Sequence, residues 1–213
     1  NVYWDIGLSE QAGIYKDVIS WTLDTIKILS KSNKHHIFIK THPAEISKEA
    51  PSITSLEDII KEKLKKIPDN VSFIRPSSKI NVYSLSSLID LGVIYTGSLG
   101  IEMILLGVPI ITTGYVPYES FNFSINPKNR EEYKNELFKE KNIKPKYKKN
   151  LLELYSYFFF IKGAIPWDFN NNMLERFNGY NFNRLDDLYP NKNKMLDHLC
   201  DCITDVNFIP ENW

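Results

Sequence analysis

Four short apolar runs constrain the fold of this chain most: HHIFIKT (35–41), VSFI (71–74), GVIYT (92–96) and VPIITTG (108–114). Each has strand length and is rich in β-branched or aromatic residues. Runs that are apolar almost throughout, instead of alternating, belong to strands buried on both faces. Amphipathic stretches separate them. Residues 17–31 place Val18, Trp21, Thr22, Thr25, Ile26 and Leu29 at helical spacing. SLEDIIKEKLKKI (55–67) reads as a second helix, with Ser55 as N-cap and Asp58 three residues on. Asn81 is placed to cap a helix over VYSLSSLID, and SLGIEMILL is a helix closed by Gly107. Strand and helix alternate, so the expected class is α/β. The predicted parallel sheet has strands at 36–41, 71–74, 92–96 and 109–113 and helices on both faces.

Beyond Gly114 the pattern weakens. Residues 129–150 read as a solvated helix or loop, and KEKNIKPKYKK (139–149) carries six lysines against one glutamate. That run suits a solvated surface, or contact with an anionic acceptor or membrane. LLELYSYFFFIKGAIPW (151–167) is broken by Glu153, Lys162 and Pro166. It falls short of the roughly 20 apolar residues of a spanning helix. A helix buried against the sheet or a partner domain is expected instead, and a last helix near 193–204 closes the chain.

Charge and cysteine usage exclude several classes. Lys plus Arg and Asp plus Glu are both 26, so no global basic field points to nucleic acid. Cys200 and Cys202 suit neither a disulfide framework nor a zinc site, and imply reduced thiols in a cytoplasmic setting. The sequons at Asn70 and Asn122 are then chance matches. No signal peptide opens the chain. It starts NVYWDIG, without methionine, and is expected to be a piece of a longer protein.

Ligands of a doubly wound sheet bind beyond the carboxyl ends of its strands. Two segments meet that condition. Lys40, Thr41, His42 and Pro43 end one strand, where positive or hydrogen-bonding groups suit a phosphate. YTGSLGIE (95–102) runs from strand through a turn into a helix. There Gly97 and Gly100 permit close backbone approach, Ser98 offers a hydroxyl, and the helix start offers N–H groups. Glu102 is placed to accept from ribose hydroxyls. Each feature has a plainer structural reading: a strand-end histidine is commonly just hydrogen-bonded, a strand-end lysine snorkels, and a Gly-Ser-x-Gly turn is often only a tight connection. Their pairing raises the interest. Neither G-x-G-x-x-G nor a P-loop is present, and no metal-ligand spacing is found.

IFIKTHPAE (37–45), followed by NVSFIRPSSKINVYSLSSLIDLGVIYTGSLGIEMILLGVPIITTG (70–114), resembles the C-terminal domain of GT-B glycosyltransferases. It is most similar to capsule polysaccharide biosynthesis proteins, which include the Kdo transferases of capsule export. NVYWDIG and the helix with Trp21 look like the start of that domain, so the resemblance spans about residues 1–118. It implies a Rossmann-like donor-nucleotide-binding core at 1–118, with 119–213 a helical and irregular extension packing on the core or on a missing N-terminal domain.

The same resemblance implies a nucleotide site at Lys40, His42, Pro43, Gly97, Ser98, Gly100 and Glu102. His42-Pro43 matches a motif that contacts the donor phosphate. Gly97-Ser98 departs from the two hydroxyl residues of the related CMP-sugar enzymes, which leaves a CMP- or UDP-linked donor open. No cofactor or metal is expected beyond the nucleotide-sugar substrate. The acceptor would be a surface or capsular glycan, free or lipid-linked, with the protein cytoplasmic or peripheral at the inner membrane. The catalytic base would come from the missing domain, leaving this piece inactive alone. Were it here, Glu45, Glu119 and Asp168 are the first carboxylates to consider. Rival readings are a CDP-glycerol polymer transferase, more distantly a UDP-sugar 2-epimerase, and a non-catalytic domain that kept the fold.

Overall fold

The computed structural model describes residues 13–48, 51–139, 147–163 and 185–204. The chain divides into two compact units, Asn1–Lys149 and Asn150–Trp213. The protein is mixed α/β. In the first unit the order is α1 (Val18–Leu29), β1 (Ile37–Lys40), α2 (Leu56–Leu64), β2 (Val71–Ile74), β3 (Gly92–Ile94), α3 (Leu99–Leu105), β4 (Ile110–Thr112) and α4 (Arg130–Phe138). All four apolar runs are strands, each at or within two residues of its expected ends.

The strands stand as two parallel pairs. β1 lies beside β2 with Ile37 opposite Val71, and β3 lies beside β4 with Gly92 opposite Ile110. Ile125 adds a parallel bridge to Ile111 on the other side of β4. Among the described residues no ladder joins the two pairs. What they share is a core: Val71 of β2, Ile111 of β4 and Tyr95 pack in one cluster with Val18, Ile26 and Leu29 of α1 and Ile60 of α2. Burying a side chain such as Ile26, Ile60 or Ile111 contributes about 1.5–3 kcal/mol.

Local chemistry explains the helix boundaries. Asp17 caps α1 by accepting from Ser20 N (2.5 Å), and the helix buries its Val18, Thr22, Thr25, Ile26 and Leu29 face. Ser55 caps α2 as expected. Its Oγ accepts from Asp58 N (3.1 Å) and donates to Asp58 Oδ2 (2.7 Å). Asn81 also caps, but the segment it starts is a 3-10 turn, Val82–Ser87, and not an α-helix. The Asn70 side-chain amide donates to the carbonyls of Leu29, Ser32 and His35, tying the end of α1 to the start of β2.

Within the solvated helix or loop expected at 129–150, residues 130–138 form the helix α4, exposed along most of its length but anchored in the core by two residues. Tyr133 and Leu137 are fully buried. The Tyr133 hydroxyl sits 2.6 Å from Thr25 Oγ1 and accepts from Trp21 Nε1 (3.2 Å), while Arg130 clamps Asp24 with two 2.6 Å bonds. Tyr15 donates to the same carboxylate (2.7 Å). Residues 140–146 of the lysine run lie outside the described residues.

α5 (Lys149–Tyr157), in the second unit from its second residue on, runs into a π-helical turn, Phe158–Lys162, and α6 spans Lys194–Thr204. Asn193 caps α6 by accepting from Met195 N and Leu196 N. Of the buried helix expected at 151–167, residues 164–167 lie outside the described residues; in the rest Leu152 and Ser156 are buried, while Leu154, Tyr157, Phe158, Phe159 and Ile161 are exposed, so this face is not buried. Among the described residues no helix is long and apolar enough to cross a membrane.

Candidate functional site

The first candidate cluster begins where β1 ends. Lys40 is partly buried, and among the described residues no carboxylate lies within ion-pair distance of it. Thr41 is buried and fastens the end of β1 to β2: its N–H (3.1 Å) and hydroxyl (3.2 Å) both donate to Ile74 O. His42 is exposed and caps the 3-10 turn Pro43–Ile46, its Nδ1 accepting from Ala44 N (3.1 Å). A backbone amide can only donate, so Nδ1 keeps its lone pair and the neutral ring carries its hydrogen on Nε2. Pro43 occupies the first turn position, where its fixed φ fits and its missing N–H costs nothing.

The second cluster follows β3. Gly97 has φ +113°, a conformation L side chains rarely adopt, so the turn itself requires glycine. Gly100 is required by packing: a Cβ there would lie 2.0 Å from the hydroxyl of buried Tyr118. That hydroxyl donates to Gly97 O at a long 3.4 Å. Close approach of a ligand is therefore not needed to explain either glycine. Ser98 does not cap α3. Its hydroxyl donates to Glu102 Oε1 (3.4 Å), while Tyr83 OH donates to Glu102 Oε2. The carboxylate raises the Tyr83 phenol above its ordinary pKa, first through the hydrogen bond and then through its charge. Glu102 is thus held from two sides with lone pairs left to accept more. Ser98, Glu102 and Tyr83 form one group, with Gly97 and Gly100 against Tyr118 beneath it.

A polar cleft of about 580 Å³ opens after the end of β4, lined by Tyr115, Glu119, Asn122, Asn126 and Lys128 among others. Thr96 of the β3 turn donates to Tyr115 O (2.6 Å), which joins the cleft wall to the second cluster. Glu119 is ion-paired with Lys128 (2.8 Å). Behind them Thr112 and Ser124 both donate to Asn126 Oδ1. Another cleft, about 570 Å³ beside β2, contains Arg75, but that guanidinium is committed to Glu57 (2.8 and 3.1 Å).

Three of these features are absent from the sequence reading: Tyr83 on Glu102, Tyr118 under the turn, and the Thr112–Ser124–Asn126 network. Only the polar-aromatic density around 115–126 hints at the last two. Of the reserve carboxylates, Glu45 is buried in the His42 turn, Glu119 lines the cleft, and Asp168 lies outside the described residues. No protein-family model, curated protein or solved structure matches this chain.

Proposed function

We infer that this chain binds the nucleotide of an activated sugar and serves as the donor half of a GT-B-type glycosyltransferase for surface or capsular polysaccharide. In this reading the two parallel pairs belong to one doubly wound, Rossmann-like sheet. The shared core, which holds Val71, Tyr95 and Ile111 against the same helix, supports it. Both clusters then stand beyond carboxyl ends of one sheet, where such sheets take their ligands.

The observation that carries the proposal is the Lys40–Pro43 turn. An ammonium with no carboxylate within ion-pair distance among the described residues and an imidazole with its hydrogen on Nε2 leave the same strand end. In sugar transfer the bond between the anomeric carbon and the leaving phosphate oxygen breaks, and negative charge grows on that phosphate. Lys40 would meet it with charge and His42 with a donated hydrogen bond, both in place before the reaction. The α3 start has a smaller part than its sequence suggests. The helix has only seven residues and the Ser98 hydroxyl is turned to Glu102. Glu102 would accept from the ribose diol, and the cleft at Tyr115–Lys128 would take the hydroxyl-rich sugar. Acceptor activation would come from a second domain, and the glycan acceptor and inner-membrane association remain part of the same proposal.

Calorimetric titration with CMP, CDP, UMP, UDP and their deoxy forms tests this reading. Saturable binding that weakens in His42→Ala supports it; binding of no nucleotide overturns it. A CDP-glycerol polymer transferase would use the same phosphate chemistry, and turnover with each donor separates the two.

A further inference from the structure

Glu45 is a buried carboxylate that the binding scheme does not use. It is 4% exposed, and its Oε2 has no hydrogen-bond partner among the described residues. Buried polar atoms are nearly always paired, so this one needs a reason. Its Oε1 accepts from Leu56 N (3.3 Å), the first residue of α2, where a helix favours negative charge. Its own N–H donates to His42 O (3.0 Å), and its carbonyl accepts from Ser52 N (2.9 Å). One residue thus joins the His42 turn, the approach to α2 and α2 itself. Burial pushes its carboxyl above the usual range, the Leu56 N–H opposing, with Asp58 and Glu57 adding to the rise.

We propose that Glu45 is a positioning residue: it braces the Pro43–Ile46 turn so that His42 presents Nε2–H to an anionic ligand. The ligand's identity rests on the nucleotide-binding reading above; the brace does not. Ala44 N–H reaches His42 Nδ1 only while the turn keeps its 3-10 shape, and the neighbouring bond in that turn is Glu45 N–H to His42 O. Thr41 fixes the upstream end to β2, and Glu45 fixes the downstream end to α2. Without the carboxylate the turn keeps its backbone bonds to His42 and Ser52 but loses its tie to α2, so Nδ1 holds its amide less firmly and the two imidazole tautomers mix.

The test is ¹⁵N spectroscopy of the His42 ring with a CMP titration, in the parent, Glu45→Gln, Glu45→Ala and Glu45→Met. Glu45→Gln keeps an oxygen for Leu56 N–H, and should keep the Nε2–H signature and CMP affinity within about threefold. Glu45→Ala and the space-filling Glu45→Met lack that oxygen. They should average the two ring nitrogens and weaken CMP about tenfold or more, and either variant serves if the other does not fold. A parent with the Nε2–H signature but no affinity for CMP removes the nucleotide reading and leaves the ring signature to judge Glu45. If the folded Ala or Met variant keeps the parent ring signature, Glu45 is only a stabilising residue and the proposal is overturned.

Discussion

Gly100→Ala separates a packing role for the second glycine from a ligand-approach role. The added Cβ would lie 2.0 Å from the Tyr118 hydroxyl and 3.1 Å from its Cζ. Tyr118 is 1% exposed, so its rigid ring has little room to swing away. Forcing one methyl into a filled core costs about 1–3 kcal/mol. Against this, alanine gains up to about 1 kcal/mol over glycine within a helix. A 2.0 Å contact with a buried ring puts the cost at the upper end, about 2–3 kcal/mol, so the expected net loss is about 1–2 kcal/mol. Removing the hydroxyl relieves the worst contact, because the next is 3.1 Å to Cζ and the third an ordinary 3.5 Å to Ile94. The Tyr118→Phe single change loses a long hydrogen bond to Gly97 O, worth at most about 1 kcal/mol. The double variant Gly100→Ala/Tyr118→Phe should then be more stable than Gly100→Ala alone by about 1 kcal/mol. Urea unfolding of all four proteins gives the cycle. A neutral or stabilising Gly100→Ala, or a double variant weaker than either single, would refute the packing account and return Gly100 to the ligand.

His42→Ala should weaken nucleotide binding by about 1.5–3 kcal/mol, roughly 10- to 150-fold, through loss of a hydrogen bond to a charged phosphate. Calorimetry reads this directly, and unchanged affinity removes the phosphate role. Glu102→Gln should cost ribonucleotides more than deoxyribonucleotides, and Tyr83→Phe should blunt the same discrimination by releasing one side of the carboxylate. Equal losses for both sugars would show that Glu102 does not meet the ribose. Arg75, then Lys61, holds the Glu57 carboxyl down at about 2, from an ordinary 4.5. A lowered carboxyl stabilises the fold above its unfolded pKa and loses that contribution as pH falls from about 4.5 towards 2. Arg75 is 66% exposed, so solvent screens much of this contribution. Arg75→Ala should lower stability at pH 7 and by much less at pH 2; an equal loss at both would contradict it.

The elements near the candidate site were legible because their signals are local. A strand such as VSFI declares itself by four consecutive residues, and Ser55 with Asp58 announces the start of α2 by hydroxyl and spacing alone. The joining of the strands was not legible in the same way, since pairing depends on partners distant in the chain. The anchor of α4 was not legible because among nine mostly charged residues only Tyr133 and Leu137 are buried, and Tyr133 is held through the distant Trp21 and Thr25. Asn81 marked the correct start but not the helix type: Val82–Ser87 is a 3-10 turn with none of its residues buried, so no core face draws it into an α-helix. At the site, His42-Pro43 was visible as a motif, but the Nδ1 bond that selects the tautomer comes from Ala44, whose side chain carries no signal. Gly97 and Gly100 were both noticed for their lack of a side chain. The sequence could not distinguish a ligand from the Tyr118 ring as the object that fills the space.

The central claim is that the Lys40–Pro43 turn and the Gly97–Glu102 turn serve one nucleotide. Its most direct test is a ¹H–¹⁵N titration of the protein with CMP and, separately, UMP. The account predicts that the amides of Thr41, Ala44, Gly97 and Glu102 shift together and saturate with a single Kd, the deoxy form losing mainly the Glu102 response. Shifts confined to one turn, or saturation of the two turns at different concentrations, would contradict it.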